Sequence, residues 1–376
     1  MAKAVVTTIF WMIATTARLT SLLISTKSKS SLAMTTMSTF FTGGHSYQPP
    51  SALKGLFVGS GSDGMNEEVI CDKVLEMIGN DPQRKSASAR PVVIAYIGTA
   101  TYDWEGPRER QTAQFISKGC TVKSLDVSDT DHLDSEQIKL LETADAIIVS
   151  GGNTLYALDR WKILGIDRLL REAMERGAVL TGGSAGAICW FDGGHSDSAD
   201  PDTWKQAMVA KTKTTKVNKK EGDESSDAPT STEDAKDWEY IRVPGLGFLP
   251  GLVCPHHDKT QSNGVLRAND FDNMLKRHPT EVGIGIDHWA ALQVQGDSYQ
   301  VVALPDKEGS VLLPSGDFSP TRQGKPGIWI KEVNKQGDVL SELCPSQGKL
   351  SQLLRHPSEI VQDHRVEDCR KDNPAN

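Results

Sequence analysis

Gly182-Gly183-Ser184-Ala185-Gly186-Ala187 follows the apolar run Ala178-Val179-Leu180, which ends at Thr181. It precedes Ile188-Cys189-Trp190-Phe191, which can open a helix. Strand, tight Gly-x-Ser-x-Gly turn and helix is the order in which a chain exposes a nucleophilic serine. The turn is strained, and small neighbours let a substrate carbonyl approach the hydroxyl. Ser184 is therefore the candidate nucleophile of a covalent hydrolase. Glycine-rich turns also follow strands for purely structural reasons. The pattern gains meaning only with a base, a group that orients the base, and a fold that brings them together.

Nine histidines could supply the base. His45 lies in an N-terminal extension, and His132, His278, His356 and His364 lie in polar surroundings. His195 is close to Ser184 in sequence, whereas His256, His257 and His288 lie at or beside strand ends. His256 follows an apolar strand and Pro255, which places it at the same sheet edge as Ser184. For the orienting acid, Asp192, Asp197 and Asp200 follow the serine closely, and each also reads as a turn aspartate. Cys254 beside His256-His257 raises a metal site, but no second cysteine or acidic cluster stands at ligand spacing. Neither a metal nor a cofactor is expected.

These residues need a scaffold, and from Lys54 apolar strands alternate with amphipathic helices. Gly55–Gly59, Pro91–Gly98, Thr121–Val127, Ala146–Val149 and the run into Ser184 read as strands. Asn66–Ile78, Arg108–Lys118, Glu136–Ala144 and two stretches within Leu155–Arg176 read as helices. The expected fold is α/β, a mainly parallel sheet sandwiched by helices, with β-hairpins toward the C-terminus. Ligands then bind at the carboxyl ends of the strands. The glycine-rich turns at Gly59–Gly64, Gly151–Thr154 and Gly182–Ala187 all fall there.

The chain of 376 residues divides into an extension (1–53), a main domain (54–342) and a peripheral or disordered tail (343–376). Residues 205–238 interrupt the domain with a lysine-rich and then an acidic half, a polyampholyte insertion read as a solvated loop. The net charge of −8 argues against nucleic acid as a partner. The six scattered cysteines, without a C-x-x-C pair, suit a reducing, cytoplasmic setting. The apolar stretch Ala4–Ala17 is too short for a stable membrane span. Residues 1–50 hold no acidic residue, so a targeting peptide to an organelle or the secretory route is the alternative.

The chain resembles the S51 serine peptidases, peptidase E (α-aspartyl dipeptidase) and more distantly cyanophycinase. The resemblance rests on Gly151-Gly152-Asn153-Thr154, Gly183-Ser184-Ala185-Gly186-Ala187 and Gly194-His195-Ser196-Asp197-Ser198. It continues in Leu246-Gly247-Phe248-Leu249-Pro250-Gly251 leading to Pro255-His256, and in Gly283-Ile284-Gly285-Ile286-Asp287. It covers about residues 54–305 and leaves the extension, the insertion and the far C-terminus aside. The resemblance implies a class I glutamine amidotransferase-like (flavodoxin-like) fold. It implies Ser184 as nucleophile, His256 as base and an acid after the serine, taken as Asp197, with Asp192 and Asp200 open. The N–H groups of Ala185 and of Gly152 or Gly151 would hold the oxyanion. Arg267 would meet the carboxylate of an N-terminal aspartate, and Asn153 would contact substrate. The implied activity is hydrolysis of dipeptides or short peptides beginning with aspartate, by an enzyme that could work as a homodimer. A cyanophycinase-like hydrolase and a non-catalytic binding homologue are the alternatives.

Overall fold

A computed structural model describes residues 44–79, 90–204 and 237–372. Residues 1–43 and 205–236 lie outside the described residues, and with them the apolar stretch and nearly all of the insertion. After a two-residue strand, His45–Ser46 (β1), strands follow at Lys54–Val58 (β2), Val93–Ile97 (β3), Thr121–Leu125 (β4), Ala146–Val149 (β5) and Val179–Gly183 (β6). Side chains in β2, β3, β5 and β6 alternate between two buried faces, as the two-residue period of a strand requires, whereas the edge strand β4 is partly exposed. Leu56, Val58, Ile94, Tyr96, Ala146 and Ile148 face one way, onto Ile70, Val74 and Phe115 of the helices Glu68–Gly79 and Glu105–Ser117. Phe57, Ala95, Ile97, Ile147 and Val149 face the other, onto the helices Ser135–Thr143, Thr154–Leu164 and Ile166–Glu175. Burial on both faces is why these runs lack a polar stripe.

The remaining strands are Phe191–Ser196 (β7), Ile241–Pro244 (β8), Leu249–Cys254 (β9), Gly283–Ile286 (β10), Ala290–Gln295 (β11), Ser298–Ala303 (β12), Ile328–Val333 (β13), Val339–Leu343 (β14), Gln347–Lys349 (β15) and Arg355–His356 (β16). The large sheet runs β15-β12-β11-β2-β6-β5-β3-β4, with β2, β6, β5, β3 and β4 parallel. β11, β12 and β15 continue it in antiparallel pairings. A second sheet runs β14-β13-β10-β9-β7-β8, and Phe191, Ile241, Leu249, Val253, Ile284 and Ile328 share one core with Phe57 and Leu180 of the large sheet. β1 pairs with β16.

Two features depart from the sequence reading. The helix after Ser184 is a single turn, Ala185–Ile188, and the chain re-enters a strand at Phe191. Phe191 packs edge-on against Phe57 at 5.3 Å, and β7 pairs with β9 and β8, so tertiary packing overrides the helical pattern. Moreover β9, which leads to His256, belongs to the second sheet rather than to the sheet edge that ends at Ser184. The tail read as peripheral or disordered is packed and bonded in place, with Leu350, Leu353 and Leu354 in the main core. β15 extends the large sheet, and Arg370 of the helix Arg365–Asp372 makes two 2.8 Å contacts to Asp159. No helix among the described residues is long and apolar enough to cross a membrane.

A very close approach joins the loop after β2 to the end of β6. A Cβ on Gly183 would stand 1.9 Å from the Ser60 carbonyl oxygen and 3.1 Å from the Gly61 Cα. Backbone rather than a movable side chain occupies that space, so Gly183→Ala must push the two segments apart. We expect it to lower unfolding free energy by about 1–3 kcal/mol, as read from the urea midpoint at unchanged m-value. A wild-type midpoint would show that the two loops are not packed this closely.

Candidate active site

Ser184 is set by backbone before any side chain acts. Its φ and ψ are 57° and −119°, a strained conformation for a residue with a side chain. Its N–H donates to the Val58 carbonyl at 3.2 Å, fixing it beside the end of β2. Its own carbonyl accepts from Ala187 at 2.9 Å and Ile188 at 3.1 Å, which closes the turn. Ala185 opens this short helix, so its N–H has no acceptor within it. Gly151 lies against the serine: a Cβ there would sit 3.3 Å from the Ser184 Cβ. Gly152 follows at φ 119°.

His256 reaches the same place from the other sheet. Its N–H donates to the carbonyl of Gly59 at 2.8 Å, next in sequence to the carbonyl that holds Ser184. Its φ is 50°, so both residues lie in the region that side chains avoid. Among the described residues five non-glycine positions have positive φ, and two of them are this serine and this histidine. Strain of this kind persists only where the surroundings impose it, and it gathers at functional sites.

The neighbouring histidine has a different task. His257 is fully buried, and its Nδ1 lies 3.0 Å from the Ser310 Oγ and 3.3 Å from the Asp287 Oδ1. Asp287 also accepts from the N–H groups of Ser310 and Gly327, each at 3.0 Å. This network ties the 309–327 loop to the end of β10.

His256 directs its ring toward another histidine. Its Nδ1 lies 2.8 Å from the Nδ1 of His288, whose Nε2 lies 3.0 Å from the Asp63 Oδ2. His288 is also gripped by its main chain: its N–H donates to the Asp258 Oδ1 at 2.6 Å, and its carbonyl accepts from the Ser60 Oγ at 2.7 Å. Arg322 Nε donates to the other oxygen of Asp258 at 2.6 Å. Burial holds the His256 pKa well below that of a free imidazole, and the positive charges of Arg267 and Lys259 add to the effect. Burial and Lys259 bring His288 down to about 4, against the opposing pull of Asp63. Both rings are thus neutral at neutral pH.

The residues expected after the serine are dispersed. Asp197 accepts from Gln261 Nε2 at 2.9 Å and pairs with Arg267 Nη1 at 3.5 Å. Asp192 accepts from the Gly251 N–H at 3.2 Å, and Asp200 from the Ser262 hydroxyl at 2.9 Å. Arg267 is 1% exposed; it donates to Gln261 Oε1 at 3.0 Å and to the His195 carbonyl at 2.5 Å, and it lies over the Tyr240 ring. Asn153 caps the helix Thr154–Leu164 through its side-chain oxygen, and its amide nitrogen donates to Thr203 at 3.0 Å. Ser184 and His256 are thus brought to one strand end, Asp197 and Arg267 to each other, and Asn153 to a helix cap. His288 and Asp63 had no assigned role in the sequence reading. The signal for His288 was its position directly after the strand Gly283–Ile286, whereas nothing local marks Asp63. Among the described residues no group of three or more His, Cys, Asp or Glu could hold a metal ion.

A family model described as Peptidase family S51 matches residues 56–212 and 224–302. A protein of Trypanosoma brucei brucei named G2/mitotic-specific cyclin-1 is 32% identical over 83% of this chain and 90% of its own. An uncharacterized peptidase of Bacillus subtilis, YgaJ, is 31% identical over 56% of this chain and 73% of its own. Peptidase E of Shewanella amazonensis is 26% identical over 52% and 67%.

A buried guanidinium paired with a carboxylate contributes to stability differently from one waiting for a ligand. Arg267→Ala would remove the cation paired with Asp197 and the donor to Gln261 Oε1 and the His195 carbonyl, and we expect a loss of about 3 kcal/mol or more in unfolding free energy. An unchanged urea midpoint would show that Arg267 is not tied into the fold and stands free for substrate.

Proposed function

Because the chain belongs to peptidase family S51, we propose that it is a serine peptidase that cleaves dipeptides or short peptides beginning with aspartate, through an acyl-enzyme on Ser184. The observation that carries this reading is the convergence of Ser184 and His256, both strained, on the consecutive carbonyls of Val58 and Gly59. A parallel sheet with the serine at a strand end also supports the likeness to class I glutamine amidotransferases.

In the proposed reaction His256 Nε2 takes the Ser184 proton as Oγ attacks the peptide carbonyl. The N–H groups of Ala185 and Gly152 receive the oxyanion, where one such donor contributes about a hundred-fold or more in rate. His256 then protonates the leaving amine. Water, deprotonated by the same ring, hydrolyses the ester and restores Ser184. The substrate's aspartate carboxylate is drawn by the positive field of Arg267 and Lys259, which bears on His256 itself. Asp197 contributes by fixing Arg267 and Gln261. Asn153 contributes by setting the glycine turn that precedes its helix.

Two other readings stand beside this one. Activity on aspartyl polymers, as in cyanophycinase, would use the same serine. A non-catalytic binding homologue finds support in the cyclin name of the trypanosome relative. Wild type and Ser184→Ala should be incubated with Asp-Leu, Glu-Leu, Leu-Leu and cyanophycin. We expect release of leucine from Asp-Leu, little from Leu-Leu, and a loss of about 10⁴-fold or more in the variant. Cleavage of cyanophycin alone would favour the polymer reading, and the absence of any Ser184-dependent product would sink the peptidase.

The pH dependence follows from the base. His256 must be neutral to accept a proton, and its pKa lies below 6.5 in the folded protein. The acid limb of kcat/KM should therefore lie at lower pH than an ordinary histidine would give. A limb centred near 6.5 would contradict the desolvated, cation-flanked setting of the part-buried His256.

A further inference from the structure

We propose that His288, held by Asp63, orients the catalytic base: it fixes the tautomer of His256 in which Nδ1 carries the proton and Nε2 is free to accept one. The inference rests on the reading of Ser184 and His256 as nucleophile and base. It adds a positioning pair, His288 and Asp63, in the place where a carboxylate beside the base was expected.

The argument is a count of protons. A neutral imidazole has one N–H. The His288 Nε2 lies 3.0 Å from a carboxylate oxygen of Asp63, which can only accept, so that nitrogen carries the proton. The His288 Nδ1 is then an acceptor. Across 2.8 Å it faces the Nδ1 of His256, which must donate. The Nε2 of His256 is left with its lone pair, the form a general base needs. When that nitrogen takes the serine proton, the imidazolium keeps its Nδ1–H on His288, and no proton moves further along the chain.

The main chain makes this chain of contacts rigid. His288 is clamped at its N–H by Asp258 and at its carbonyl by the Ser60 hydroxyl, and the residue as a whole is 6% exposed. Asp63 belongs to the helix Ser62–Met65 directly after the loop whose Gly59 carbonyl holds His256. One loop therefore anchors the base, the carbonyl of its orienter and the carboxylate behind it. Asp63 is 63% exposed, so its charge is hydrated and reaches His256 only through the neutral ring of His288. The other charges bearing on the pair are Lys259, Arg267 and Arg322, and the carboxylate of Asp258 faces it through the His288 N–H.

The test compares four substitutions at position 288 in the full chain. His288→Phe keeps the bulk and removes both contacts. His288→Gln retains a donor toward Asp63 but carries its amide oxygen away from the position of Nδ1. His288→Asn puts an amide oxygen where Nδ1 was, and His288→Asp puts a carboxylate there. Ser184 reactivity is read as the rate of labelling by a fluorophosphonate, which needs the base but no particular peptide. The His256 tautomer is read by ¹⁵N NMR of the imidazole, which needs no activity. We expect His256 protonated at Nδ1 in wild type. His288→Phe and His288→Gln should lose that tautomer and label about a hundred-fold more slowly, and His288→Asn should recover most of the loss. His288→Asp should move the acid limb of labelling to higher pH, because an anion beside Nδ1 stabilises the imidazolium.

Wild-type labelling and an unchanged tautomer in His288→Phe would overturn the proposal while leaving Ser184 as nucleophile. A His256 protonated at Nδ1 in a wild type that never labels would uphold the orientation and sink the nucleophile reading. If His288→Phe does not fold, as judged by circular dichroism, the contrast of His288→Gln with His288→Asn decides. Equal tautomer and equal rates in those two would overturn the proposal.

Discussion

Two carbonyl oxygens at the end of one strand hold the candidate site together. Val58 accepts from Ser184 and Gly59 accepts from His256, at 3.2 and 2.8 Å. The serine arrives from β6 of the large sheet and the histidine from β9 of the second, so the loop after β2 is where the two layers of the molecule meet chemically. Buried backbone donors must find acceptors, and here the requirement also sets the spacing of the two residues. The strain at φ 57° and 50° is the cost of that docking, and the surrounding core offsets it.

The core that supplies this is the shared layer between the sheets. Phe57 and Phe191 meet edge to face there, and Val253 and Leu249 bring β9 against the same layer. A second stiffening element is ionic. Arg242 and Glu281 are both fully buried and join through two nitrogen–oxygen contacts of 2.7 and 2.8 Å. Such a pair contributes little net stability but penalises any arrangement that separates its members. Since it links β8 to the turn before β10, it fixes the second sheet near the strand whose end carries His288.

Much of this was legible in the chain. Ser184 stands out because its Gly-x-Ser-x-Gly turn follows an apolar run and falls with two other glycine-rich turns at strand ends. His256 stands out because it follows an apolar strand. The parallel strands were readable for the same reason, since burial on both faces leaves unbroken apolar runs such as Ala146–Val149. The helix after the serine was not readable beyond its first turn: the residues that favour it, Ile188 to Phe191, are equally suited to a buried strand, and the partner strands β8 and β9 lie more than 45 residues away. The aspartates after the serine were legible as acids but not as partners. Where a carboxylate points depends on which cation or amide the fold brings to it, and for Asp197 that was Arg267 and Gln261.

The sequence by itself determined which residues have the chemistry and which backbone turns could expose them, because turn glycines and apolar periods are local properties. Only the tertiary structure decided which groups stand behind His256. His288 and Asp63 are separated by 225 positions, and although His288 follows a strand end, nothing local marks Asp63 or joins the two. Their partnership arises because the loop after β2 and the end of β10 are neighbours in space, and a hydrogen bond depends on that distance alone, whatever the separation along the chain.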